Sequence, residues 1–221
     1  AVKDFLPAYE TKEIVLDPYD PHTFNSISMS AVYMEFRWQI QRDMEKAKAV
    51  ITEAQEEFGK RFGRRYYQVE EYMADDADVL LICTGSVAST GRVVVDAIRA
   101  DGKAAGMVKV KTFRPFPRDK IIKALRGKKK VAVIDRNFSP GAQGIWAQEI
   151  RSVLCELPDI ERPMVYGYVA GLGGRDISVD IIKDIYHRTC GSDEPEDIDM
   201  WIGVKHVQPE STIRQSANSG N

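Results

Sequence analysis

The chain has 221 residues, 43% of them hydrophobic and 29% charged, with a formal net charge of -2 at pH 7. That balance suits a chain with a core of its own, and it argues against nucleic acid or an anionic membrane as the main partner. No stretch approaches the roughly 20 apolar residues of a membrane span, and AVKDFLPAYE at the start carries a proline and charges where a secretory signal has an apolar run.

Residue 1 is Ala, so the natural N-terminus is expected to lie elsewhere. Residues 1 to 30 are punctuated by Pro7, Pro18 and Pro21, and DPYDPH reads as consecutive turns. Phe5, Leu6, Tyr9, Ile14, Val15 and Leu16 are too apolar for a free tether, so this segment is read as an extended docking arm.

Residues 31 to 65 read as a long amphipathic helix closed by a basic turn. Phe36, Ile40, Met44, Ala47, Ile51, Ala54 and Phe58 form one continuous stripe at helical spacing, with charged and amide residues between them. A helix from Tyr33 to Phe58 spans about 39 Å. Its stripe is expected to be covered, most simply by the domain that follows and otherwise by another subunit. The basic clusters KRFGRR (60 to 65) and RGKKK (126 to 130) read as solvated surface.

Residues 66 to 192 then alternate regularly. YYQVEEY (66 to 72) is a short strand, and VLLICT, MVKVKTF, VAVID and MVYGYVA, starting at 79, 107, 131 and 164, are strand-like runs. Each of these four is followed by helical spacing: Val87, Gly91, Val94 and Ile98; Ile121, Ile122 and Leu125; Trp146, Ile150 and Val153; Ile182, Ile185 and Tyr186. Strand and helix in strict alternation mean a parallel sheet with helices on both faces. Residues 193 to 221 form an acidic tail through SDEPEDID and WIGVKHV, and its polar end is expected to be disordered.

Cys83, Cys155 and Cys190 lie far apart without a C-x-x-C, which fits buried thiols in a reducing cytoplasm and neither a disulfide framework nor a metal site. His22, His187 and His206 have no ligand spacing and no nucleophile partner. No catalytic residue and no metal ligand is assigned.

Four loops follow the parallel strands, where ligands of open sheets usually sit. In TGSVASTGR (84 to 92), Gly85, Ser86, Ser89 and Arg92 are candidates for holding an anion at a helix start, although the serines serve equally well as caps. In TFRPFPRDK (112 to 120), Arg114, Pro115 and Phe116 suit an interface with a neighbouring domain, since a guanidinium on a stiff backbone makes two-pronged bonds. In DRNFSPGAQG (135 to 144), Asp135 and Arg136 read as a structural ion pair, and Arg136 as an interface residue. In AGLGGRDIS (170 to 178), Gly173, Gly174 and Arg175 are further interface candidates. This glycine run lacks the dinucleotide spacing and follows the last strand of the sheet instead of the first, so a nucleotide loop is rejected.

The succession ICTGS, VKVKTFRPFP, VAVIDRNFSPG and VAGLGGRDIS, with the helix YMEFRWQIQRDMEKA and its lead-in FLPAYE, resembles the C-terminal half of the alpha subunit of 2-oxoacid:ferredoxin oxidoreductases of the pyruvate synthase type. The resemblance covers residues 1 to 205. It implies a domain similar to the C-terminal domain of transketolases: a three-layer α/β/α sandwich, mostly parallel, with YYQVEEY as one antiparallel edge strand. In that family the complete enzyme decarboxylates a 2-oxoacid with thiamine diphosphate and Mg. It passes electrons through [4Fe–4S] clusters to ferredoxin and usually hands the acyl group to coenzyme A.

The domain that contacts the thiamine pyrimidine, the diphosphate motif and the cluster cysteines of that family have no counterpart in this sequence. The resemblance therefore implies a scaffold segment that binds none of these cofactors alone, partnered by thiamine-binding and iron–sulfur subunits. The alternative is an independent module binding the phosphate of coenzyme A or a nucleotide through TGSVASTGR.

Overall fold

The computed structural model describes residues 2–9, 16–22, 27–196 and 199–205. The chain divides into two units, Ala1–Tyr67 with Arg114–Phe116, and Gln68–Phe113 with Pro117–Asn221.

The first unit holds a one-turn helix α1 (Val2–Phe5) and the long helix α2 (Ser30–Phe62), whose 33 residues reach about 50 Å. Pairs one turn apart support the exposed surface of α2, among them Gln39 with Asp43 and Lys48 with Glu45. The helix stops at Gly63, whose left-handed φ of 69° turns its N–H back to the carbonyl of Gly59. Rings of Phe5, Phe62 and Tyr66 gather around Phe58, with centroids 4.5 to 5.9 Å from it.

Within the first unit the expected α2 stripe is exposed over its N-terminal half. Phe36, Ile40 and Met44 are 54%, 49% and 41% exposed, while Ala47, Ile51 and Phe58 further along are half-buried. Periodicity shows which face is apolar; it does not supply a surface to cover it. Tyr9 and Leu16 of the N-terminal segment are also exposed, while Ile14 and Val15 lie outside the described residues.

The second unit is a three-layer α/β/α sandwich. Its sheet has the order β1-β3-β2-β4-β5-β6, from β1 (Val69–Tyr72), β2 (Val79–Cys83), β3 (Ala105–Val110), β4 (Lys130–Asp135), β5 (Met164–Val169) and β6 (Met200–Trp201). Every pairing is parallel except β1 with β3, so the edge strand expected at YYQVEEY is antiparallel as anticipated. Between the parallel strands run α3 (Val87–Ala100), α4 (Arg118–Leu125), α5 (Ile145–Leu154) and α6 (Val179–Gly191).

Side chains alternate across each strand and so feed two cores. Leu81, Cys83, Met107, Ile134 and Tyr168 share one cluster with Val94 and Ile98 of α3 and Ile182 and Ile185 of α6. The alternate positions Leu80, Ile82, Val131 and Val133 belong to the other face, which α4 and α5 cover with Ile121, Leu125, Ile150 and Leu154. All five residues of β2 are buried, as a central parallel strand with both faces covered requires. Each fully buried Leu or Ile contributes about 1.5 to 3 kcal/mol.

Two expectations shift. Strand β6, paired through Met200 with Tyr168 and Trp201 with Val169, falls inside what reads as an acidic tail. Of the three thiols expected to be buried, only Cys83 is; Cys155 and Cys190 are exposed because each closes a helix on its outer side. His206 and the polar C-terminal stretch lie outside the described residues.

Candidate functional site

Strand order determines where loops meet. The chain leaves β2 for β3 on one side, while β4 lies on the other side of β2. A crevice therefore opens beyond the carboxyl ends of β2 and β4, the place where open α/β sheets receive ligands. Here it is a polar cleft of about 220 Å³, walled by Ser86 and Thr90 of the β2–α3 segment, Arg136 from the end of β4, and Gly174, Arg175 and Asp176 from the loop after β5.

Glycine makes this convergence possible. A Cβ at Gly171 would lie 2.7 Å from Ile177 Cδ1 and 3.1 Å from Arg136 Nε, and the residue has a left-handed φ of 71°. The opening of the GLGG stretch thus lets the Arg136 side chain pass against the β5–α6 backbone. The glycine run is a packing device for an arginine, with no nucleotide spacing.

Both arginines are exposed, and the Arg175 guanidinium donates to the carbonyl of Gly203. Among the described residues, neither has a carboxylate partner, although Asp176 stands on the same wall. Ser86 occupies the N-cap of α3 without a side-chain capping bond. By contrast, Ser178 caps α6 by accepting from the N–H of Ile181 at 3.3 Å, as its position before the helix predicts.

A second constellation lies beneath the loop after β4. Asp135, fully buried, does not form the ion pair with Arg136 that adjacency suggests. It accepts from the N–H groups of Trp146 and Ala147 at 3.0 and 2.9 Å and so caps α5. Successive side chains of an extended strand point to opposite faces, so Asp135 turns in while Arg136 turns out. Burial, reinforced by the nearby Asp199 carboxylate, pushes the Asp135 carboxyl up to about 6 against the lowering effect of those hydrogen bonds.

Asp199 is 3% exposed. It accepts from Gly144 N–H at 2.6 Å and from the Arg151 guanidinium at 2.9 Å. A Cβ at Gly144 would overlap the Asp135 carboxylate and one at Gly167 that of Asp199. Sequence reasoning missed Asp199, because in SDEPEDIDM it is one acid among several. The only signal was its place just before the hydrophobic pair Met200–Trp201.

The remaining candidates are elsewhere. Arg92 lies 3.7 Å from Glu70 and over the ring of Tyr72, outside the cleft, and neither Gly85 nor Ser89 lines it. Gly173 faces a separate apolar hollow with Trp201 and Val204. Arg114 is exposed and Pro115 buried, and both belong with Phe116 to the first unit. Pro117 is the N-cap of α4. Among the described residues no group of three or more His, Cys, Asp or Glu side chains could hold a metal ion.

Residues 77–182, from just before β2 into the first turn of α6, match the family model for pyruvate:ferredoxin oxidoreductase core domain II. Pyruvate synthase subunit PorA of Methanothermobacter thermautotrophicus is 40% identical over 204 residues, covering 92% of this chain and 51% of its own length. The ketoisovalerate oxidoreductase subunit VorA of Pyrococcus abyssi is 38% identical over 185 residues, 83% of this chain and 46% of its own. A solved 2-oxoglutarate:ferredoxin oxidoreductase from Magnetococcus marinus aligns with 60% of this chain and 21% of its own at 22% identity and a TM-score of 0.43. This chain spans about half the length of the PorA relatives. Residues 77–182 form a domain of the pyruvate:ferredoxin oxidoreductase core domain II family.

Proposed function

We propose that this chain is a structural segment of a 2-oxoacid:ferredoxin oxidoreductase, an assembly that decarboxylates a 2-oxoacid such as pyruvate oxidatively and delivers electrons to ferredoxin. The observation that carries the proposal is the 40% identity with a pyruvate synthase subunit across 92% of this chain. The segment contributes a rigid sheet whose carboxyl edge gathers Arg136 and Arg175. Its long helix presents an apolar face to neighbouring subunits.

Residues of this chain do not fit the cofactors that the family implies. A [4Fe–4S] cluster takes four cysteine thiolates. Here Cys83 is sealed in the core, and the other two thiols sit at the ends of different helices. A magnesium-bound diphosphate needs oxygen ligands around the metal, whereas the cleft offers one carboxylate, Asp176, and two guanidinium groups. Thiamine diphosphate and the clusters are therefore assigned to partner domains or subunits, with coenzyme A and ferredoxin met through the complex. The cytoplasm is the compartment proposed for it.

Native mass spectrometry on material isolated from its source tests this, with iron and thiamine assayed on the same peak. A large complex carrying both is expected. A lone species near the chain mass of 24.9 kDa, carrying neither, would overturn the proposal.

A further inference from the structure

The geometry points to an oxyanion site for a phosphate group in the cleft between the carboxyl ends of β2 and β4, held by Arg136 and Arg175. What carries the inference is how the arginines of this unit are partnered. Arg92, Arg99, Arg118, Arg126, Arg151, Arg162 and Arg188 each lie within ion-pair distance of a carboxylate. Among the described residues of this unit, the two arginines that do not are Arg136 and Arg175. These are the two that line one cleft, although they lie 39 positions apart and come from different strand ends.

Arg136 and Arg175 line this cleft with a single acid, Asp176, and the Arg175 guanidinium engages only a neutral carbonyl, that of Gly203, so an anion would offset positive charge that no carboxylate pairs with. Guanidinium is also the side chain whose planar donors match phosphate oxygens two at a time. Further donors stand on the same wall: among the described residues neither the Ser86 nor the Thr90 hydroxyl has a hydrogen-bond partner, and Ser86 leaves the N-terminal end of α3 without a side-chain cap. The volume of about 220 Å³ admits a phosphate with a small organic substituent. Asp176 sets a limit on the ligand, since its carboxylate disfavours any anion that does not engage both arginines.

This site is independent of the assembly role. Its test is titration of the full chain with inorganic phosphate at constant ionic strength, followed by calorimetry and phosphorus NMR. Saturable binding of one phosphate per chain is expected. Arg136→Gln and Arg175→Gln should each weaken it about tenfold or more, the usual worth of a charge-assisted hydrogen bond. Arg118→Gln, a change at an arginine paired with Glu156, should leave it unchanged. Both cleft arginines are exposed, so the variants should melt with the parent; Arg136→Lys, which keeps the charge but not the fork, should still bind measurably more weakly.

Glycerol phosphate binding at least as tightly as inorganic phosphate would identify a phosphate monoester as the ligand. Inorganic phosphate binding more tightly would identify the free ion. The proposal fails if phosphate does not saturate, if binding survives the double Gln variant, or if acetate binds as well as phosphate. Because the readout needs no partner subunit, its failure would leave the oxidoreductase reading intact, and the reverse also holds.

Discussion

Asp135 allows burial and helix capping to be weighed against each other. Its carboxyl is wholly buried, accepts two α5 backbone N–H groups, and lies near a second buried acid, Asp199. Capping favours the ionised form, while burial and Asp199 oppose it, and burial wins: the carboxyl rises from an ordinary 3.8 to about 6. At about 1.4 kcal/mol per pH unit, that rise corresponds to roughly 3 kcal/mol.

The folded state holds this proton more tightly than the unfolded chain does. Its contribution is therefore fully present below about pH 4 and is lost as pH climbs through about 6. Asp135→Asn removes the titration and keeps the shape. Both Asp135 oxygens accept from α5, and Asn keeps only one acceptor, so the variant should start less stable than the parent near pH 4. The variant should then gain about 3 kcal/mol on the parent by pH 8. Urea unfolding of both proteins from pH 4 to pH 8 measures the gap, with other titrating groups cancelling in the difference. Parallel curves, or a variant that loses ground on the parent as pH rises, would refute the reasoning and show that capping outweighs burial.

Gly167→Ala should destabilise the fold by about 1 to 3 kcal/mol in urea titration, because the added methyl displaces the Asp199 carboxylate from Gly144 and Arg151. Leu125→Ala, which removes a fully buried side chain on the α4–α5 face, should cost about 2 to 5 kcal/mol in the same assay. In thiol titration of the native protein, Cys155 and Cys190 should react within minutes. Cys83, enclosed in the core with its thiol pushed up to about 12, should react only after unfolding. Fast modification of all three would mean that the sheet opens far more readily than its packing implies.

The alternation of apolar runs and helical spacings in residues 66 to 192 is sufficient to specify the layers. Each strand and helix there must bury its own apolar pattern, and only a covered parallel sheet accommodates all of them. The strand at YYQVEEY was legible as an element, while its antiparallel direction came from the family resemblance. Strand order was not legible, because nothing in the run VAVID states that β4 lies beside β2 instead of beyond β3. Yet that order brings the loops after β2, β4 and β5 into one cleft. Side-chain direction was equally hidden: adjacency suggested that Asp135 pairs with Arg136, and the pleat turns them to opposite sides. Asp199 reaches Arg151 of α5 from 48 positions away, next to a strand too short to produce any periodicity. Local patterning thus determined the elements of this protein, because burying each apolar face is a demand made within a dozen residues. Its candidate site was decided only in three dimensions, where the register and order of the sheet select which distant charges meet.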